Sequence, residues 1–408
     1  MKTLCYQCEP WRFAICRAAG IACPAVYFSP LAPARLRDVP MIERLPAGWA
    51  RVRVRQCGLC ASDVQLMRLR LSPAVAPAAM AAQASTPVTL GHELAGTVEA
   101  VEQAGRAGPA LLVGQRVISR SGGFRNCFNL NVEPCAQCRA GEYARCQRQG
   151  EPAPAHEPCR SGGFAPTYFE HSANLIPIPD SLTDDEAVLA EPLACALRAV
   201  LTLSERGLNK VLVVGAGIQG LGAIHWLHCL RPEAEVTCLA RYPYQAELAR
   251  NLGAGHVLTG EITVEQLAQQ LGTGFWRAFG RNELLMHGFD AVIDAVGKPD
   301  SLEKAMRWTR PGGTVIVLGV HLFRGRIDYT PVWFREIGLR GVLAHGMEQF
   351  EGANIPTLQL TLQLLAGRGR LPVPLVTHRL PLSRYVEAVR LMEKKRTSRA
   401  VRVVLTPD

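Results

Sequence analysis

The sequence predicts an α/β protein in which a mostly β half is followed by a doubly wound parallel sheet. Three observations carry this. From about residue 195 the text repeats strand, glycine turn and helix: "KVLVVGAGIQGLGAIHWLHCL", "EVTCLARYPYQAELARNLGAGHVL", "FDAVIDAVG" and "GGTVIVLGV". Before it, short β-branched runs such as "ARVRVRQC" (50–57) and "LAGTVEAV" (94–101) are broken by Pro and Gly loops. The 408 residues, 48% apolar and 20% charged, suffice for two domains with a large core.

Residues 1–24 read as a separate N-terminal extension with cysteines at 5, 8, 16 and 23. These can form a metal site, but "PWRFAICRAAGIA" reads better as an amphipathic helix with its cysteines packed. The Ala/Pro-rich stretch 71–87 reads as an extended loop. The net charge of +10 comes mostly from arginine, with six lysines, and is spread along the chain rather than gathered into a stripe. That excludes nucleic acid as the expected partner and leaves a basic surface suited to phosphorylated ligands. No apolar run reaches the ~18 residues of a membrane span, and no leader pattern opens the chain, so the expectation is a soluble, cytoplasmic protein without a membrane partner. Fourteen cysteines are many for a reducing compartment unless metal occupies some of them.

In "VLVVGAGIQG" four apolar strand residues lead into Gly215, Gly217, Ile218, Gln219 and Gly220, and a helix can follow. A G-x-G-x-x-G pattern in that context is a dinucleotide turn: Gly215 for the bend, Gly217 for close approach of a pyrophosphate, Gly220 for helix–strand packing. Where the second strand ends, a carboxylate would bond the ribose 2′-hydroxyl of NAD. This chain has Ala240 and Arg241 there, which removes repulsion of a 2′-phosphate and supplies a guanidinium to hold it. NADP(H) is therefore favoured over NAD(H), with Tyr242 able to stack on the adenine.

"CGLCASD" (57–63) and "GHE" (91–93) supply thiol, imidazole and carboxylate donors. Catalytic zinc takes three such ligands and keeps one position open. Cys60, His92 and a carboxylate make that set, with Ser62 two residues from Cys60. The Ser62–Asp63 pair also suits a helix start. At these residues, together with "GHELAGTVEAV", "GQRV", a cysteine lobe at 127–146, "GGFAPTYFEHSANLIPIPD", "AEPLACALRAV" and "RPGGTVIVLGV", the sequence resembles the zinc-dependent medium-chain dehydrogenase/reductase superfamily, the alcohol, polyol and threonine dehydrogenase-like enzymes, over residues 25–408.

The resemblance implies a Rossmann-type domain (195–341) inserted in a mostly β, partly open, GroES-like barrel formed by residues 25–194 and 342–408. It implies Cys60 rather than Cys57 as zinc ligand, His92 as a second, and Glu93, Glu191 or both as carboxylate. Asp63 is expected to orient His92, and Ser62 to relay a proton through the cofactor ribose. Arg402 matches a basic residue that contacts the cofactor pyrophosphate. Zinc would polarise the oxygen of an alcohol or carbonyl substrate while the nicotinamide exchanges hydride.

Cys135, Cys138 and Cys146 fit the family's structural-zinc lobe, but Val132 stands where its first cysteine belongs, so Cys127 is expected to complete the four thiolates. His225 and His228 are expected in packing or solvent, His345 in a loop, and Asp294 and Gly297 in backbone geometry. Homo-oligomers, dimers or tetramers, are usual in the family. Two other readings stay open: a pyridine-nucleotide sensor that lost turnover, and a zinc-free enoyl or quinone reductase.

Overall fold

The chain opens on a strand, β1 (Lys2–Tyr6), antiparallel to β2 (Ala34–Asp38) and hydrogen-bonded on its other side to β4 (Val88–Thr89). This corrects the expected extension 1–24. Leu4 and Tyr6 are buried in the main core of the first unit, and the Leu4 amide donates to the Phe164 carbonyl at 2.9 Å. What interrupts the β1–β2 pair is an insertion: helix α1 (Pro10–Ala22), begun by a proline whose missing N–H costs nothing at that position, then a 3₁₀ turn over Pro24–Phe28. The computed structural model describes residues 1–7, 9–70, 87–102, 111–121, 124–149, 151, 162–203, 207–277, 283–320 and 325–408. Cys8 and residues 71–86 of the expected loop lie outside the described residues.

Two units divide the chain, Met1–Glu191 with His345–Gln363 and Leu375–Asp408, and Pro192–Ala344 with Leu364–Pro374. In the first, β3 (Trp49–Gly58) alternates buried Val52 and Val54 with outward Arg51, Arg53 and Arg55, the period of a strand with one wet face. It pairs antiparallel with β5 (Glu93–Val101), which continues through β6 (Arg116–Ser119) to β8 (Leu175–Pro177), while β7 (Thr167–His171) also pairs with β3. Directly after β3 comes the short helix α2 (Ala61–Met67).

The second unit holds a six-stranded, all-parallel sheet. Its order is β11 (His256–Thr259), β10 (Glu235–Ala240), β9 (Lys210–Val214), β14 (Phe289–Asp294), β15 (Thr309–Val317), β16 (Gly338–Gly341). The order runs outward in both directions from β9 and β14, the doubly wound pattern. A small hairpin, β12 (Phe275–Arg277) with β13 (Glu283–Leu285), stands apart from it. Helix α3 (Ile218–Leu230) follows β9.

After residue 344 the chain rejoins the first unit with the hairpin β17 (Met347–Phe350) and β18 (Ala353–Pro356). It then adds β19 (Val376–Pro381), helix α4 (Tyr385–Glu393) and β20 (Arg402–Thr406), which pairs with the end of β3. The expected boundary at 342 thus falls at 345, and Leu364–Pro374 returns to the second unit. There the His225 ring bonds the Gly369 carbonyl at 2.8 Å and lies 4.8 Å from the Trp226 ring. His225 is a packed core residue, and burial lowers its pKa.

Candidate active site

Cys60 is the residue before α2, and Asp63 sits in that helix's first turn. An Asp63 oxygen accepts the Cys60 amide at 3.0 Å, half of a capping box, so one local interaction aims both side chains. The other Asp63 oxygen lies 3.8 Å from His92 Nδ1. The donor atoms of Cys60, His92 and Glu93 all fall within 4.8 Å of one another, brought together from the start of α2 and the head of β5. A thiol, an imidazole and a carboxylate converging this closely are a donor set that suits zinc. Burial favours neutral His92, yet the Asp63 carboxylate, Cys60 and Glu191 hold its pKa well above the ordinary histidine range. Asp63 itself is pushed up by burial and by Glu93, against the pull of His92.

Cys57 does something else. It is fully buried, and burial first, then Asp63 and Glu93, raise its thiol pKa well above the ordinary value. Its sulfur is wedged between glycines: a Cβ added to Gly163 would lie 2.6 Å from it and one on Gly91 2.8 Å.

Glu191 is buried near the site but does not join the three converging donors; its charge acts on His92 and Arg402. The Glu93 carboxylate lies 2.9 Å from Arg402 Nη1, both residues 1% exposed, and neither Glu93 oxygen has a well-aligned hydrogen bond. Arg402 also donates to the Leu59 carbonyl at 2.8 Å. Arg402, expected at the pyrophosphate, is therefore placed in the ion network of Glu93. Pattern reading passed over Lys395, half-buried within the electrostatic reach of Arg402 and Cys60, its pKa lowered by burial and then by Arg402. It sits in the cationic run "EKKRTSR", where no one-dimensional signal separates it from surface charge.

The second thiol set is Cys127, Cys135, Cys138 and Cys146, with all four sulfurs within 4.8 Å of one another. Cys127 and Cys146 lie 3.7 Å apart, and Cys135 and Cys146 4.0 Å. A zinc–sulfur bond of about 2.3 Å in a tetrahedron requires sulfurs about 3.8 Å apart, so the spacing fits. Val132 packs beside the cluster while Cys127 fills the corner. Burial raises Cys135, but the amides of Gln147 and Cys138 and the neighbouring thiols bring it down to about 6, toward the ligating thiolate form. Among the described residues Cys5, Cys16 and Cys23 join no such cluster.

In the second unit Gly215 has φ +96°, a conformation that L side chains avoid, and a Cβ on Gly220 would collide with the Gly215 carbonyl. A Cβ on Gly217 would meet nothing within 4 Å, so the backbone there stands open ahead of Ile218 and Gln219. Ala240 ends β10 buried, and Arg241 after it is exposed, 5.5 Å from the Tyr242 ring, which stacks on Tyr244 at 5.9 Å. Among the described residues no carboxylate pairs with Arg241. Asp294 is buried and accepts the Val296 amide at 3.0 Å and the Ser301 hydroxyl at 3.0 Å, a backbone-shaping role.

A barrel-like unit carrying a thiol–imidazole–carboxylate cluster, in one chain with a unit carrying a dinucleotide turn, defines a nicotinamide-dependent oxidoreductase class. The alcohol dehydrogenase GroES-like domain matches residues 46–180 and the zinc-binding dehydrogenase domain residues 220–360. The chain belongs to the zinc-dependent medium-chain dehydrogenase/reductase superfamily and is an alcohol dehydrogenase-like oxidoreductase. It is 26% identical over 379 residues to an L-threonine 3-dehydrogenase of Legionella pneumophila (strain Corby), covering 90% of this chain and 95% of the relative. Among solved structures it resembles a putative zinc-binding dehydrogenase from Sinorhizobium meliloti 1021 bound to NADP (TM-score 0.66, 22% identity, 92% of this chain and 96% of that one). It also resembles an Escherichia coli CFT073 alcohol dehydrogenase complexed with NADH (TM-score 0.69, 20% identity, 100% and 99% covered). At these identities the two likenesses speak for the fold.

Proposed function

We propose that the protein transfers hydride between NADP(H) and an alcohol or polyol and its aldehyde or ketone, at a zinc site made by Cys60, His92 and Glu93, with Glu191 nearby. The observation that carries the reading is the convergence of those three donors, with Ser62 two residues from Cys60. When bound, zinc supplies Lewis acidity toward the substrate oxygen and the nicotinamide supplies or accepts the hydride. Asp63, with one oxygen 3.8 Å from His92 Nδ1, would orient the ring for zinc. Ser62 would relay the proton of an alcohol substrate, accepting it on Oγ as its own hydroxyl proton passes on through the cofactor ribose hydroxyls toward solvent, with the reverse transfer during reduction. Arg402 balances the charge of Glu93 in a buried setting. The four thiolates of the second cluster hold a structural zinc.

NADP(H) is preferred because Arg241 offers an exposed, unshared guanidinium where a carboxylate would select NAD(H). The solved relatives bound to NADP and to NADH show that the fold takes either, so the choice rests on residues 240 and 241.

The test is loss of NADPH absorbance across a panel of aldehydes, ketones and ketoses, beside NADH and the variants Cys60→Ser and Arg241→Ala. Turnover is expected with NADPH and abolished in Cys60→Ser. A charge-assisted bond of about 1.5–3 kcal/mol gives a ~10–100-fold loss of kcat/KM for NADPH in Arg241→Ala, with NADH nearly unchanged. Turnover surviving Cys60→Ser overturns the metal assignment, and nucleotide binding without turnover on any carbonyl favours the sensor.

A further inference from the structure

The insertion that interrupts β1 and β2 converges on one residue, Arg68, at the C-terminal cap of α2. Arg68 Nη1 donates to the Pro24 carbonyl at 3.0 Å, while Nε and Nη2 donate to the two Glu393 oxygens at 2.9 and 2.5 Å. Its guanidinium lies 4.5 Å from the centre of the Phe28 ring and 5.7 Å from that of Tyr27, and its side chain is 10% exposed. Phe28 meets Tyr385 of α4 edge-on at 6.2 Å. From α1, Arg17 donates to the carbonyl of Leu69, a residue held at φ 52°. One guanidinium thus ties the insertion, the end of α2 and the end of α4 together.

The start of α2 is where the chemistry sits. A helix of seven residues is far below the length that is stable by itself, so its direction comes from what packs on it. Cys60 and Asp63 are at one end and the Arg68 fork is at the other. Through Glu393 the same fork grips α4, whose chain runs on to Lys395 and Arg402 beside the same donors. Phe13 and Cys16 of α1 and Leu66 and Met67 of α2 belong to one apolar core.

We propose that residues 10–28 and Arg68 form a brace that holds α2 in register, with Arg68 the positioning residue that keeps Cys60 and Asp63 aimed at the metal. The inference rests on Cys60 being a metal ligand. The match to the GroES-like domain begins at residue 46, after this insertion.

The test is the release of zinc from the full-length, zinc-loaded protein to excess chromogenic chelator. The pool held by Cys60 is identified by its absence in Cys60→Ser, and the pool held by the four thiolates by its absence in Cys127→Ser. Supporting groups around metal ligands typically matter by 10–100-fold, so Arg68→Ala should release the Cys60 pool about 10-fold faster or more, and Arg68→Lys, which keeps charge but loses the fork, by less. Glu393→Gln should also accelerate it, and carries the test if Arg68→Ala does not fold. The thiolate pool should leave at the wild-type rate throughout. Unchanged release of the Cys60 pool in a folded variant overturns the brace, as does equal acceleration of both pools, which would mark Arg68 as a general stabiliser. A wild-type protein with no Cys60-dependent pool overturns the assignment of Cys60 itself, and the brace with it.

Discussion

Two cysteines three residues apart, Cys57 and Cys60, divide into a packed thiol and a proposed ligand because one lies in the strand interior and the other caps the first turn of a helix. Cys57→Ala should keep the full zinc content and lose about 1–2 kcal/mol of stability from the small void. Gly91→Ala should cost more, about 1–3 kcal/mol, because the new methyl meets the Cys57 sulfur and the Phe164 ring at a backbone φ of +87°. Metal analysis and denaturant unfolding of the two variants check this; loss of zinc in Cys57→Ala would mean the two thiols had been assigned the wrong way round. The pairing of Glu93 with Arg402 was not legible in the sequence. Each residue lies in an ordinary strand pattern, and only the antiparallel register of β3 with β5 and β20 brings them together.

At the scale of elements, the legible parts are those whose cause is local. The glycine turn announces itself because Gly215 and Gly220 answer to backbone sterics within six residues, and "PWRFAICRAAGIA" because helical spacing and an N-terminal proline are contiguous signals. β1 was hidden because five residues of strand mean little until their partners, far along the chain, are known. The cysteine lobe lies between these cases. Three thiols keep the family spacing, and the fourth, Cys127, is recruited from across a longer loop. Since such a lobe has almost no apolar core beyond its own cysteines and a few flanking side chains, the proposed structural zinc would supply much of its folding energy. Cys127→Ser should therefore lose one zinc per chain and lower the thermal midpoint, whereas Val132→Ala should keep the metal. Retention of both zinc ions in Cys127→Ser would show that three thiolates and water suffice.

At the scale of the whole molecule, the parallel sheet of the second unit ends at β16, whose four residues are all exposed and whose outer edge bears no partner strand among the described residues. Open edges of this kind invite pairing, and soluble proteins blunt them with charge, proline or a cover. Here the only charged residue in the strand is Arg340. Just before it, the helix Thr330–Phe334 presents Trp333 at 73% and Phe334 at 59% exposure, and Leu339 and Leu343 are exposed along and after the strand. Large apolar groups left at a sheet edge mark an interface more often than a free surface. A two-fold axis beside β16 would pair the strand antiparallel with its own copy and remove the edge in one step, which agrees with the homo-oligomer that the family resemblance leads one to expect. Sedimentation should accordingly give a dimer or a multiple of it, and the double variant Trp333→Glu/Leu339→Glu should shift the protein to monomer at micromolar concentration while nicotinamide nucleotide still binds. A wild-type monomer, or a dimer that the double variant leaves intact, would place the interface elsewhere or remove it.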